Sequence, residues 1–194
     1  MRVVGGAFRG RGLTAPKGNH TRPTTDRVRE SLFSALGSLL GAELGAPCVL
    51  DAFAGSGALG IEALSRGAVS ATFVENDRAA LGALRGNLET LGIRSQARVV
   101  QGDVLSLAVR AGIPGGPFSL LLLDPPYRLA WSDIEGLTSA LVGGDALVDG
   151  AVIVYEYARG MLAEWPSMFD LVARKKYGTT GIDIVVYQRG AGSS

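Results

Sequence analysis

One stretch constrains the fold of this chain more than any other: Val49-Leu50-Asp51-Ala52-Phe53-Ala54-Gly55-Ser56-Gly57-Ala58-Leu59-Gly60. A short apolar run, an acid and three glycines precede a helical pattern, which reads as strand, tight turn and helix. Gly55 and Gly57 allow a positive φ or a close ligand approach, and Gly60 lets the helix pack tightly on a sheet. On this reading Gly57 faces a ligand, so a valine there would fill the ligand's space without unfolding the chain.

The same glycines satisfy G-x-G-x-x-G, and Glu75 follows about 20 residues later, as a dinucleotide fingerprint requires. Two ligands therefore compete for the turn. Asp51, at the carboxyl end of the strand, would repel a pyrophosphate but suits the ammonium group of S-adenosyl-L-methionine, whose sulfonium adds further positive charge. A glycine-rich turn with no ligand is the third reading.

Beyond the turn, strand and helix patterns alternate, the signature of a doubly wound α/β sheet with right-handed crossovers. Strands are predicted at residues 48–53, 70–75, 98–100, 118–123 and 151–157, and a closing hairpin at 169–177 and 182–188. Helices are predicted from Pro23-Thr24-Thr25-Asp26, with a threonine cap, to Leu40, from the Asp77 cap to Gly92, at 103–111 and at 132–142. Arg27, Arg29 and Glu30 are expected on the open face of the first helix.

Ligands of such sheets gather beyond the carboxyl ends of the strands. Asp51, Glu75, Asp103 and Asp124 stand at four consecutive strand ends. Glu75 could chelate both ribose hydroxyls of a nucleoside, having two acceptor oxygens, and Asp103 could accept from an adenine amino group. For each acid taken alone, and for Asp103 in particular, a helix cap is a rival reading.

Leu123-Asp124-Pro125-Pro126-Tyr127 is the most specific stretch for chemistry. Two prolines after an acid hold an extended turn and remove two amide donors, leaving carbonyls to accept. An exocyclic amine on a flat base offers two N–H donors, which the Asp124 carboxylate and the Pro125 carbonyl can take while Tyr127 stacks on the ring. Catalysis would then be alignment for in-line methyl transfer.

Charge is unevenly spread. Residues 1–25 hold Arg2, Arg9, Arg11, Lys17 and Arg22 and no acid, while the whole chain of 194 residues nets +1. This segment is expected to be a basic two-stranded ribbon turning near Gly5-Gly6, with little core of its own, and either a solvated leader or an arm that contacts phosphates. His20, the only histidine, lies in the following loop, and no Cys or His cluster supports a metal site. Cys48 is the only cysteine, which excludes an intrachain disulfide. No apolar run approaches the roughly 18 residues that would span a bilayer, and no signal-peptide core is present. A cytoplasmic protein is the expectation.

These motifs together resemble the bacterial 16S ribosomal RNA (guanine-966-N2)-methyltransferase family. The likeness runs through the basic ribbon to Arg11-Gly12-Leu13, Arg22-Pro23-Thr24-Thr25-Asp26-Arg27-Val28-Arg29-Glu30, Asp51 to Gly67, Glu75, Gly102-Asp103, Asp124 to Tyr127 and Lys176-Tyr177-Gly178. It implies a doubly wound, seven-stranded, Rossmann-like class I methyltransferase with a reversed last strand and a small N-terminal β-ribbon extension. The implied divisions are residues 1–22 as the RNA-binding extension, 23–190 as the methyltransferase domain and 191–194 as a disordered tail. S-adenosyl-L-methionine would bind at Asp51, Ala54, Gly55, Ser56, Gly57, Gly60, Glu75, Asn76, Asp103 and Val104, and Asp124, Pro125, Pro126 and Tyr127 would be catalytic. Arg2, Arg9, Arg11, Lys17 and Arg22 would meet 16S rRNA in the small ribosomal subunit or an assembly intermediate, the enzyme acting as a monomer without metal or membrane. An adenine-N6 DNA enzyme would share the chemistry but lacks room for a target-recognition region, and a protein glutamine methyltransferase shares the motif without needing a basic arm. A dinucleotide oxidoreductase leaves Asp124 to Tyr127 unexplained, and a non-catalytic RNA-binding module would need only the arm.

Overall fold

Leu120-Leu121-Leu122-Leu123 presents apolar side chains to both faces of any strand it forms, and all four are essentially fully buried. Such a run belongs at the centre of a sheet covered on both sides. The computed structural model describes residues 1–16, 26–40, 46–110, 112–161 and 163–190, with the backbone alone at 39 and 40. Its strands are β1 (Cys48–Asp51), β2 (Ser70–Glu75), β3 (Ala97–Gln101), β4 (Phe118–Leu123), β5 (Leu147–Ala158), β6 (Phe169–Tyr177) and β7 (Thr180–Tyr187). They form one seven-stranded sheet in the order β3-β2-β1-β4-β5-β7-β6. β1 to β5 pair in parallel, whereas β7 runs antiparallel to both β5 and β6. The reversed last strand is therefore present.

Alternation along β4 divides the core. Leu120 and Leu122 join the helices α1 (Asp26–Leu40), α2 (Ala58–Ser65) and α3 (Arg78–Leu91) on one face. Leu121 and Leu123 meet α4 (Val104–Arg110) and α5 (Trp131–Gly143) on the other. Each buried leucine contributes roughly 1.5–3 kcal/mol. The Asp77 cap of α3 is in place, its carboxylate accepting from Ala80 N–H at 2.8 Å, and Gly92 closes the helix at φ 71°. β5 begins at Leu147 rather than at Ala151, because Asp149 and Gly150, at φ 76°, interrupt an apolar pattern that the strand nevertheless spans. Among the described residues no helix is long and apolar enough to cross a membrane.

The N-terminal segment departs from expectation. In place of a regular ribbon it makes one isolated antiparallel bridge, Arg2 with Gly12, and a 3₁₀ turn over Gly6–Phe8. It also belongs to the main core: Val3 is 1% and Leu13 6% exposed, both packed with α1, α2 and α3. Backbone amides of the segment are satisfied by side chains of the helices, Val4 N–H by Glu62 at 2.8 Å and Phe8 N–H by Ser65 Oγ at 2.9 Å. The segment covers Arg29, which is fully buried rather than available, its guanidinium donating to the Arg2 carbonyl at 2.5 Å and to Asp26 at 2.8 Å. The expected threonine cap of α1, the loop with His20, and the tail at 191–194 lie outside the described residues.

Candidate active site

β1 has β2 on one side and β4 on the other, so the crossovers diverge at its carboxyl end and leave a crevice there. A cavity of about 460 Å³ occupies that position, within the range of small-molecule sites. Its lining comes from Ala52 and Phe53 after β1, Glu75 to Asp77 after β2, Gly102 to Val104 after β3, and Asp124 to Leu129 after β4. Of the sequence-predicted cofactor residues, Gly55, Glu75, Asn76, Asp103 and Val104 reach this wall, and so do all four predicted catalytic residues.

Glu75 ties the wall together. Its Oε2 accepts Gly55 N–H at 2.7 Å, and its Oε1 accepts Asn76 N–H at 2.8 Å and Asp77 N–H at 2.7 Å. A carboxylate has about four acceptor positions. Three amides already draw on Glu75, leaving it fewer acceptor positions for a ligand than the expected chelation of two ribose hydroxyls would use. Asp103 caps α4, accepting from Ser106 N–H at 2.8 Å, and also lines the cavity, so the cap does not remove it from reach of a ligand.

Ala54, Ser56, Gly57, Gly60 and Asp51 are absent from the cavity wall. Gly57 sits at φ 83°, and a Cβ built there would stand 2.4 Å from Leu84 Cδ1, in the core rather than in ligand space. The glycine with open space is Gly55, at φ 54° with no atom within 4 Å of a notional Cβ. Gly60 lets α2 lie against Phe73, whose ring would be 2.4 Å from an added Cβ. Ser56 is held from behind, its carbonyl accepting from Asn87 Nδ2 at 2.9 Å.

Asp51 is 1% exposed and accepts Gly60 N–H at 2.9 Å, which ties the start of α2 to the end of β1. Asp51 thus supports the turn from beneath the cavity wall, next to the wall residue Ala52. Burial pushes its carboxyl up to about 7; the Gly60 hydrogen bond pulls the other way, and the negative charges of Asp124 and Glu75 add to the rise. A carboxyl raised in the fold holds a proton that the unfolded chain releases, so this contribution is full below the usual carboxylate range and is lost as pH rises towards 7. Ligand-free protein should therefore lose stability between about pH 4 and pH 7, by about 4 kcal/mol at most from this group. Asp51→Asn keeps an acceptor for Gly60 and should flatten that slope in thermal melts across the range. Equal slopes in the two proteins would show that Asp51 ionises freely.

The far wall is the turn after β4. Pro125 is buried, Asp124 half-buried and Tyr127 53% exposed, with Leu129 N–H closing the turn on the Pro126 carbonyl at 3.0 Å. Glu75, Asp77, Asp103 and Asp124 share one cavity, which favours a cationic ligand and opposes a pyrophosphate. Among the described residues no group of three or more side chains is placed to hold a metal ion.

Among the described residues of the N-terminal segment, Arg2, Arg9 and Arg11 are not on the wall of this cavity. Arg2 pairs with Asp26 at 3.4 Å, Arg9 is exposed, and Arg11 donates to the Thr90 carbonyl at 3.1 Å. Thr90 lies ten residues along α3 from Ala80 on the cavity wall, about 15 Å away. Lys17 and Arg22 lie outside the described residues. Of the described residues of the segment, Pro16 lines the cavity. Just before it, Asn87 of α3 clamps Thr14, accepting its N–H at 2.8 Å and donating to its carbonyl at 3.0 Å. Sequence reasoning also missed Phe53, Asp77, Arg128 and Leu129 on the wall. The glycine fingerprint and the Asp-Pro-Pro-Tyr motif adjoin three of these four, and their flanks were the available signal.

The strand order, the reversed β7 and a cavity at the carboxyl ends of β1 to β4 define a Rossmann-like class I methyltransferase fold. A solved RNA methyltransferase from Salinibacter ruber in complex with S-adenosyl-L-homocysteine shares it at TM-score 0.64 and 18% identity, covering 89% of this chain and 98% of that one. The chain belongs to the family described as Conserved hypothetical protein 95, whose profile matches residues 1–186. It is 43% identical over 156 residues to the ribosomal RNA small subunit methyltransferase D of Escherichia coli strain K12, spanning 80% of this chain and 74% of that protein. The solved structure of yhhF from Escherichia coli, provisionally described as a methyltransferase, superposes at TM-score 0.81 with 38% identity over 97% of this chain and 98% of that one.

Proposed function

We propose that this chain is an S-adenosyl-L-methionine-dependent rRNA methyltransferase, acting in the cytoplasm on the exocyclic N2 of a guanine in the 16S rRNA of the small subunit. One observation carries the reading: Asp124-Pro125-Pro126-Tyr127 borders the same cavity as Glu75 and Asp103. A cofactor cradle and an amine-binding turn thus face each other across one space. The guanine and its rRNA context rest on the family likeness.

The cavity suits the cofactor. Gly55 leaves its side open, the remaining acceptor position of Glu75 would take a ribose hydroxyl, and Asp103 would accept from the adenine amino group. Phe53 and Val104 supply apolar wall for the ring. When bound, S-adenosyl-L-methionine supplies an electrophilic methyl group. The chain's own part is positional: Asp124 and the Pro125 carbonyl each accept one N–H of the amine, turning its lone pair into the cavity. Tyr127, with its ring exposed, stacks on the base. The Asp124 carboxylate is also placed to receive the proton that the amine sheds. Holding the reactants in line can supply about 7 to 11 kcal/mol in well-oriented systems.

The test is methyl transfer from labelled cofactor to small subunits of a strain lacking this chain, followed by mass mapping of the digested nucleosides. The expected product is N2-methylguanosine at one position. Methyl on adenine N6, or no incorporation into either free 16S rRNA or subunits, would overturn the proposal.

A further inference from the structure

Lys176-Tyr177-Gly178 is left unused by the chemistry above, and its place in the fold gives it a use. β6 ends at Tyr177 and turns through Gly178, at φ 59°, into β7. The turn is fixed from two sides. Arg159, just after β5, donates its N–H to the Thr179 carbonyl at 2.8 Å and its guanidinium to the Gly178 carbonyl at 3.4 Å. On the other side the Tyr177 hydroxyl hydrogen-bonds Ser31 Oγ of α1 at 2.8 Å.

The sheet register locates this tip relative to Asp124. Leu123 pairs with Tyr155, and Ala158 and Tyr177 both pair with Thr180. The tip therefore rises about 10 Å beyond the level of Leu123, on the same carboxyl edge, and β6 lies about 14 Å to the side of β4. β1, β2 and β3, whose ends carry the acidic cavity, are all on the opposite side of β4. The ends of β5, β7 and β6 flank Asp124 on the side away from the acidic cavity, and a polynucleotide crossing them would meet Arg159 and the two lysines, Lys175 on one face of β6 and Lys176 on the other. Among the described residues no carboxylate forms an ion pair with any of these three. Their neighbour Arg174 is different, being bound by Asp183 at 2.7 and 2.8 Å as part of the fold.

Resting on the rRNA reading above, we infer that Arg159, Lys175 and Lys176 at the β6–β7 tip form the surface that grips the RNA sugar–phosphate backbone beside the target base. Edge lysines can also serve to block strand pairing. That role would spread charge along the whole of β6, whereas Leu171 and Val172 in its first half are exposed at 45% and 44%.

The test compares the wild type with Arg159→Ala/Lys175→Ala/Lys176→Ala and with Arg94→Ala/Arg110→Ala/Arg189→Ala, which removes the same charge elsewhere. The readouts are melting temperature, cofactor affinity, binding of 16S rRNA as a function of salt, and KM against kcat for small subunits. The tip variant should melt and bind cofactor like wild type, while its RNA affinity falls about tenfold or more. Its log–log salt slope should become shallower by about 2, as for three lost contacts to single-stranded phosphates. KM should rise with kcat at saturation nearly unchanged. A folded tip variant with wild-type slope and KM overturns the inference, as does an equal loss in the control. A wild-type chain that binds rRNA through the tip yet transfers no methyl group supports this inference and overturns the proposed function.

Discussion

Asp124→Ala is expected to lower single-turnover methyl transfer by about 100-fold or more, while cofactor affinity changes little. The figure is the scale for losing one preorganised catalytic hydrogen bond, about 2.7 kcal/mol. Asp124 follows β4, the most buried strand, so its carboxylate is placed by a rigid element rather than by a loose loop. Gly55, Glu75 and Asp103, the groups proposed to hold the cofactor, come from the ends of β1, β2 and β3 and do not depend on it. Removing its charge also relieves Asp51, so the carboxyl of Asp51 should titrate lower in the variant. Tyr127→Ala should slow transfer as well, and Tyr127→Phe much less, because the proposed stacking uses the ring face and not the hydroxyl. An active Asp124→Ala enzyme would sink the mechanism, and a Phe variant as damaged as the Ala variant would show that the hydroxyl participates.

The parts of this site that sequence reasoning located share a physical cause. A strand buried on both faces is a continuous apolar run, and β4 was legible from Phe118 to Leu123 for that reason. Its boundary with Asp124 marks the carboxyl edge. Acids at the ends of β1, β2, β3 and β4 were legible in the same way, since a charge that closes an apolar run has few places to go. Three of them reach the cavity, while Asp51, one residue short of the wall residue Ala52, is turned beneath it.

What was not legible depends on contacts between distant residues or on backbone direction. Asn87 looks like any polar residue on α3, yet it joins Thr14, 73 residues away, and Ser56, 31 residues away. The N-terminal segment looks solvated because glycines and arginines separate its few apolar residues. Val3 and Leu13 are nonetheless deep in the core, and their partners on α1, α2 and α3 appear nowhere near them in the chain. The same burial bears on deletion of the segment: losing two core side chains costs stability, so truncation does not isolate RNA binding from folding. Substitutions of single surface charges do isolate it.

Gly57→Val is expected to destabilise the fold severely, whereas Gly55→Asn should keep the fold and weaken cofactor binding. The G-x-G spacing makes the two glycines look equivalent, and their dihedral angles and surroundings separate them. At Gly57 the left-handed backbone costs a side chain about 1–2 kcal/mol, and its Cβ meets Leu84 at 2.4 Å, Ile61 at 3.1 Å and Phe73 at 3.4 Å. Overpacking of that kind adds about 1–3 kcal/mol. Alanine already draws on both terms, and valine adds two methyl groups and a β-branch, against a total stability of about 5–15 kcal/mol for a domain. Asparagine tolerates the left-handed region, and at Gly55 it has open space on the cavity wall, so Gly55→Asn should melt within a few degrees of wild type. Its side chain would occupy the space of the ligand, and calorimetric titration with S-adenosyl-L-methionine should find affinity reduced by tenfold or more. A Gly57→Val protein that melts like wild type but fails to bind cofactor would reverse the assignment and return Gly57 to the cavity wall.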